Sequence, residues 1–284
     1  MTEKVGYLGP EGTFTEFAAK TMFPSHPLVP FRTIPDCIEA VIDQTVDFGI
    51  VPIENTIEGS VNLTVDYLFE QENMSIVAEI TIPIRQHLMV HPDHSSVWDT
   101  ITAIYSHPQA LAQSHRYLRK RFPNIELHQT TSTAMAAKLV QERSDERIAA
   151  IGNDFAAETY GLTIVERDIH DFQNNHTKFV VLSQRNASFA KNGRYRGDKT
   201  TFMITLPSDY PGALHQVLSA FAWRKLNLSK IESRPLKTGL GNYFFIIDVQ
   251  MKADHVLIDG VKEELEALGC GVDMIGSYPC FFVE

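Results

Sequence analysis

Cysteine is scarce in this chain, and the three present, Cys37, Cys270 and Cys280, form no CxxC pair. An odd count without that spacing argues against a disulfide framework or a cysteine zinc site; it reads as reduced thiols in a cytoplasmic protein. Long apolar runs are missing too, and nothing approaches the ~20 residues that a membrane span needs. The opening stretch MTEKVGYLG moves straight into an apolar strand, with no secretory pattern. Cations are also short: 25 Lys and Arg face 35 Asp and Glu, a net charge of -10. Nucleic-acid binding needs the opposite, a basic face. Neither nucleic acid nor membrane is expected as a partner. A small anionic ligand remains admissible, because a few local cations and backbone amides can hold it against the overall field.

Several signatures of common chemistries are lacking. Gly6, Gly9 and Gly12 follow a GxxGxxG spacing instead of GxGxxG, and no GK[ST] follows, so a nucleotide site is disfavoured. His87, His91 and His94 are close in sequence, but His94 lies in a PDHSS turn and no HExxH pairs ligands with a base. They read as surface or satisfied histidines, and no metal is expected. Without a GxSxG elbow, hydrolysis through a serine nucleophile is disfavoured as well.

What is present is a chain of 284 residues with 44% hydrophobic content, long enough for two domains. Strand patterns at 5–8, 48–53, 76–84, 103–105, 148–151 and 179–182 alternate with helical ones at 14–22, 35–44, 61–70, 109–121 and 133–142. In the last of these, Met135, Leu139 and the alanines share an apolar face. Such alternation predicts a mostly parallel sheet covered on both sides. The polar, basic stretch 184–199 reads as a linker. Beyond it the order changes: a strand at 201–206, a helix at 212–225, strands at 228–236 and 242–251 around a turn at 239–241, a helix at 255–268 and a strand at 272–278. That is the split βαβ, ferredoxin-like order.

Candidate site residues cluster at element boundaries. Taken alone, the glycine-rich stretch from Gly6 to Thr13 reads as a tight turn, although its free amides and a Thr13 cap suit a carboxylate. Glu54 and Asn55 follow a strand, where ligands of open α/β sheets gather, and local turn formation explains them equally well. Ser106 opens a helix in which Gln109 and Gln113 share a face, and Thr131 and Ser132 open the next; capping alone accounts for each. The group from Asn174 to Lys178 exceeds what a cap needs. It sets the Thr177 hydroxyl beside the Lys178 cation, an arrangement fit for an anion with a group to protonate. In the second part, Gly212, Ala213 and Leu214 start a helix, with Asn227 and the segment Glu232, Ser233, Arg234 near by. That set suits a free amino acid, with a bare structural module as the alternative and Arg234 then a solvated charge.

The runs GYLGPEGTFTEFAA, VPIENTIEGSVNLTVDYL, SHPQALAQ, TSTAMAA, GNDFAA and NNHTKF together resemble prephenate dehydratase in order and spacing. GALHQVLSAF and KIESRP are similar to the ACT regulatory domain joined to that enzyme in many bacteria. The resemblance implies an α/β chain in three parts. Residues 1–183 would form a two-lobed catalytic domain similar to the type 2 periplasmic-binding-protein fold, 184–199 a linker, and 200–284 a ferredoxin-like βαββαβ ACT domain. One lobe would hold the first ~75 residues and a returning segment near 163–182, with crossings near 79–84 and 152–160. The family's essential threonine falls on Thr177. Its substrate-contacting positions fall on Glu54, Asn55, Ser106, Gln113, Thr131 and Ser132, with Lys178 where the family usually has arginine. Lysine keeps the charge but cannot form a bidentate fork.

The implied activity is a lyase reaction of L-phenylalanine biosynthesis: prephenate loses carbon dioxide and water to give phenylpyruvate, with no cofactor. L-Phenylalanine would bind a homodimer or homotetramer at Gly212, Ala213, Leu214, Asn227, Glu232, Ser233 and Arg234, and inhibit. Glu54, with its pKa raised by burial, is a possible proton source. The alternatives are an arogenate dehydratase and a non-catalytic amino-acid-sensing protein; turnover assays on both substrates separate them.

Overall fold

The computed structural model describes residues 2–71, 74–208, 210–236 and 243–284. The chain begins with β1 (Val5–Leu8), α1 (Phe14–Met22), β2 (Leu28–Phe31), α2 (Ile34–Ile42), β3 (Phe48–Asn55), β4 (Gly59–Ser60) and α3 (Asn62–Glu70). It continues with β5 (Ser75–Pro83), β6 (His87–Val90), β7 (Ala103–Ser106), α4 (Pro108–Gln113), α5 (His115–Arg121), β8 (Glu126–Gln129), α6 (Thr133–Glu142) and β9 (Ile148–Gly152). Next come α7 (Asp154–Thr159), β10 (Thr163–Glu166), β11 (His176–Ser183), β12 (Tyr195–Thr205) and α8 (Ala213–Trp223). The chain closes with β13 (Leu228–Pro235), β14 (Tyr243–Val249), α9 (Ile258–Ala267) and β15 (Gly271–Phe282). It divides into two compact units, one of residues 1–65 and 81–179, the other of 66–80 and 180–283.

The first unit carries two sheets. In one, β1 lies between β2 and β3, all parallel, with Val5 opposite Leu28 and Phe48. This register brings the carboxyl ends of the three strands together, the edge at which open α/β sheets hold ligands. The other sheet runs β10-β6-β9-β7-β8; β7, β8 and β9 are parallel, and β6 is antiparallel to both its neighbours. Its inner strands β6, β7 and β9 are buried and largely apolar because both faces are covered, while the edge strands β8 and β10 are more polar and more exposed. Leu88, Ile104 and Ile151 enter one buried cluster, and Met89, Ile148 and Ala150 another.

Some elements differ from the sequence expectation. The segment expected as one helix at 109–121 is two, α4 and α5, which meet at Ser114. β10, expected in the returning lobe, pairs with β6 in the second sheet instead. The Asp168 amide still bonds His87 Nδ1, and the Ile169 amide the Gln86 carbonyl, so the chain returns only after these residues. A four-residue strand carries too little pattern to name its partner. Met135, expected on the apolar face of α6, is exposed, whereas Ala134, Ala136, Ala137 and Val140 are buried. The expected turn at 239–241 lies outside the described residues.

In the second unit the strand order is β13-β14-β12-β15-β5, and β12 pairs antiparallel with both β14 and β15. Residues from α8 and α9, such as Val217, Phe221, Val261 and Leu265, pack with Phe202, Ile204 and Ile247 of the sheet. The linker expected through Lys199 ends sooner, since β12 begins at Tyr195, opposite Phe281 of β15. Charged residues disguise this strand because Lys199 is 93% buried in an ionic cluster that periodicity cannot reveal. Its Nζ lies 2.6 Å from the Glu79 carboxylate and 3.4 Å from that of Asp248. Thr201 donates to Asp248, and the Thr201 and Tyr278 hydroxyls are hydrogen-bonded. Burial works against the lysine's charge, but Glu79 and Asp248 more than offset it, and the Lys199 pKa lies above its ordinary value. Asp66 with Arg234 (2.7 Å) and Phe69 stacked on Phe244 further tie residues 66–80 to this unit. A Cβ on Gly276 would overlap the Ile76 carbonyl, so the approach of β15 to β5 requires glycine there.

Replacing Lys199 with Met leaves two buried carboxylates facing each other, which costs about 3–5 kcal/mol when one partner of a buried pair is removed. Urea unfolding of wild type and Lys199→Met measures the loss. An unchanged midpoint would show that charge does not hold the cluster.

Candidate active site

Within the first unit lies a cavity of about 580 Å³. Two helix starts face it: Thr13, Phe14 and Thr15 at α1, and Thr131, Ser132 and Thr133 at α6. Thr13 caps α1 by accepting the Glu16 amide, while the Glu16 carboxylate accepts the Gly12 amide, a reciprocal box encoded by the TFTE run. Ser132 caps α6 by accepting the Met135 amide. The first amides of each helix have no intrahelical partner, and the positive ends of both helix dipoles are presented to the same space. An anion is the natural occupant.

The remaining wall is a hydrogen-bonded chain centred on Asn55. Its Nδ2 contacts Thr177 Oγ1 at 2.8 Å, Asn175 Oδ1 at 2.9 Å and the His176 carbonyl at 3.2 Å. Two amide hydrogens serve three acceptors, so one bond is shared. Its Oδ1 accepts the Ile57 and Glu58 amides and holds the turn after β3. Asn175 in turn donates to Gln113 Oε1, at 3.1 Å. Thr177 accepts from Asn55, so its own hydrogen is free to point elsewhere, and Thr177 lines the cavity.

Asn55, Gln113, Thr131, Ser132 and Thr177 therefore share one cavity. Glu54, Ser106 and Lys178 are not among its lining residues. Strand alternation is the reason for two of them: Thr177 and Phe179 face the cavity, which turns Lys178 to the opposite side of β11, and Glu54 likewise alternates with Asn55. There Lys178 and Glu54 form an ion pair at 2.9 Å, so a Glu54 carboxyl is not poised over the cavity. Ser106 is fully buried and donates to the Ile151 carbonyl. The cap of α4 is the next residue, His107, whose Nδ1 accepts the Gln109 amide and whose side chain lines the cavity. The sequence alone also did not single out Arg32 and Glu58 as lining residues.

A family model described as prephenate dehydratase matches residues 5–187. The chain belongs to the prephenate dehydratase family. The prephenate dehydratase of Bacillus subtilis (strain 168) is 52% identical over 284 residues, covering 98% of this chain and 99% of its own. The crystal structure of the Arthrobacter aurescens prephenate dehydratase in complex with L-Phe superposes with a TM-score of 0.85. It is 33% identical and covers 97% of this chain and 89% of its own. A protein described as a novel type of quorum-quenching acylase shares the fold at a TM-score of 0.82 and 26% identity, over 98% of each chain.

The residues expected to bind a regulatory amino acid in this dehydratase lie in the second unit. Gly212 caps α8 at φ +96°, with no atom within 4 Å of where a Cβ would stand. Ala213 is buried, and Leu214 packs against the core. The Asn227 amide nitrogen bonds Gln250. Glu232 and Arg234 lie on one face of β13 and Ser233 on the other. Arg234 is not a solvated charge: it is ion-paired with Asp66.

Burial at the cavity wall holds the His107 pKa below its ordinary value, while the Glu58 carboxylate opposes that shift. In NMR titrations His107 should stay neutral below the usual histidine midpoint, and Glu58→Gln should move it lower still. A midpoint that rises in Glu58→Gln would mean that the carboxylate does not act on the imidazole.

Proposed function

We propose that this chain converts prephenate to phenylpyruvate, with loss of carbon dioxide and water, and is inhibited by L-phenylalanine. The observation that carries the reading is the Thr177 hydroxyl, held by Asn55 in a cavity faced by two helix starts. Prephenate is a dianion with a ring hydroxyl. As the ring carboxylate leaves as carbon dioxide, its bonding electrons enter the ring and the C–O bond at the far carbon breaks. The departing oxygen gathers negative charge and becomes water by taking a proton from solvent at the open side of the cavity. Thr177 is too weak an acid to surrender its proton outright. It donates a hydrogen bond to that oxygen, a bond that strengthens as the charge develops. Asn55 occupies an oxygen lone pair of Thr177 and so sets the direction of the hydroxyl. The amides of α1 and α6 offer places for the carboxylates and so orient the ring against Thr177.

Thr177→Ala is expected to lower kcat by about 10²–10³, the usual cost of one lost transition-state donor. Thr177→Ser should retain much of the activity. Near-normal turnover by folded Thr177→Ala would remove the residue from the mechanism.

For regulation, residues 200–284 act as an ACT module in which L-phenylalanine binds where two copies of the chain meet, in a homodimer or homotetramer in the cytoplasm. β13 supports this as the terminal strand of its sheet, with Ile231 48% exposed. Open space at Gly212 leaves room for a carboxylate at the start of α8, and the Asn227 carbonyl oxygen can take the ammonium group. Phenylalanine inhibits by favouring a catalytic conformation with lower affinity for substrate. Gly212→Asn tolerates a positive φ yet fills the carboxylate space. This variant should lose phenylalanine inhibition and keep its uninhibited rate. Full inhibition of Gly212→Asn, or calorimetry showing no phenylalanine binding to wild type, would sink this site.

A further inference from the structure

A second cavity of about 710 Å³ adjoins the first, and the two share Gly9, Arg32, Thr131 and Ser132 as lining residues. Arg32 follows β2 directly, beside Gly9, whose amide bonds the Phe31 carbonyl. Among the described residues lining the first cavity it is the one side chain with a permanent positive charge; Glu58 lines the same space with the opposite sign. Arg32 is exposed and has no ion-pair or hydrogen-bond partner among the described residues. By contrast, Lys178 is engaged with Glu54 on the other side of its strand, and Lys138 of the second cavity lies 3.7 Å from Glu142.

We infer that Arg32 binds the carboxylate of the substrate's pyruvyl side chain. The inference rests on prephenate being the substrate. Prephenate carries its hydroxyl at one end of the ring and both carboxylates at the other. With Thr177 at the hydroxyl, the side chain extends away from Asn55 toward the rim that both cavities share. Arg32 lines that rim together with Thr131 and Ser132 at the start of α6, so its guanidinium and the first amides of α6 are both available to a carboxylate. A planar fork suits that group better than an ammonium does. In a chain of net charge -10, a dianion needs such a local cation to enter at all. Arg32 does not touch the breaking bonds, so its effect falls on affinity.

Steady-state kinetics on prephenate test this in wild type, Arg32→Ala and Arg32→Lys, following phenylpyruvate. Arg32→Ala should raise KM by about 10–100-fold, the range for one lost charged hydrogen-bond pair, with kcat within about threefold. Arg32→Lys should fall between, since charge is kept and the fork is lost. kcat/KM of wild type should decline with ionic strength more steeply than that of Arg32→Ala. With no partner among the described residues, neither variant should melt differently from wild type. An unchanged KM and salt slope in Arg32→Ala, or a loss confined to kcat, overturns the assignment. A wild type that does not turn over prephenate overturns the proposed function itself, and this inference with it.

Discussion

The side-chain amide of Asn55 is the constraint on which the site depends. One carboxamide holds the turn after β3 through its oxygen, and with its nitrogen it reaches the start of β11. Through Asn175 the same chain extends to Gln113 of α4, so residues from three separate stretches of sequence are placed by one group. Hydrogen bonds in a half-buried wall are worth more as a set than singly, since each fixes the donors and acceptors available to the next. The free hydrogen of Thr177 is a consequence of that ordering. A threonine with no such partner would rotate, and its hydroxyl would spend little time directed at a departing oxygen.

Charge is distributed with the same economy. An acidic chain that acts on a dianion must attract it locally, and much of that attraction comes from backbone: the unpaired amides of α1 and α6, focused by their dipoles. Two buried or half-buried lysines are committed elsewhere. Lys178 neutralises Glu54 beside the site, and Lys199 neutralises Glu79 and Asp248 in the core of the second unit. Amides fixed at a helix start lose no rotamer freedom when they bind, whereas a long cation does. The cavity thus combines rigid partial charges with one guanidinium that has no partner among the described residues.

The fold does not choose the reaction. A protein described as a quorum-quenching acylase overlays this chain with a TM-score of 0.82 over 98% of its length. Architecture of this kind supplies a cleft and helix starts; the chemistry resides in which side chains enter it. Here they include Asn55, Gln113, Asn175 and Thr177, none of which is a nucleophile activated by a base. The arrangement suits a substrate whose own aromatisation drives the reaction and whose main need is orientation.

Local signals in the sequence were enough for the long helices: α1 and α6 fall at 14–22 and 133–142, where periodicity and capping residues agree. They were also enough for the change of pattern that separates a βαββαβ segment from the rest; that Asn55 and Thr177 belong to one site was implied only by the family resemblance of two runs far apart in the chain. Strands β2, β8 and β10 were not legible, whereas β1 and β7, equally short, were: the latter are buried apolar runs, while the former are only partly buried or exposed and lack one. Nor could charge reveal burial: Lys199 was read as linker because its compensating carboxylates are distant in sequence, at Glu79 and Asp248. The same limit applies at the site. Neighbours in a strand point to opposite faces, so motif residues that are adjacent in the chain divide between cavity and support. Sequence by itself determined which segments come together at the cavity as candidates for the chemistry. Only the tertiary structure decided that Asn55 and Thr177 face the cavity while Glu54 and Lys178 pair behind it, because that choice depends on which face of each strand its neighbours cover.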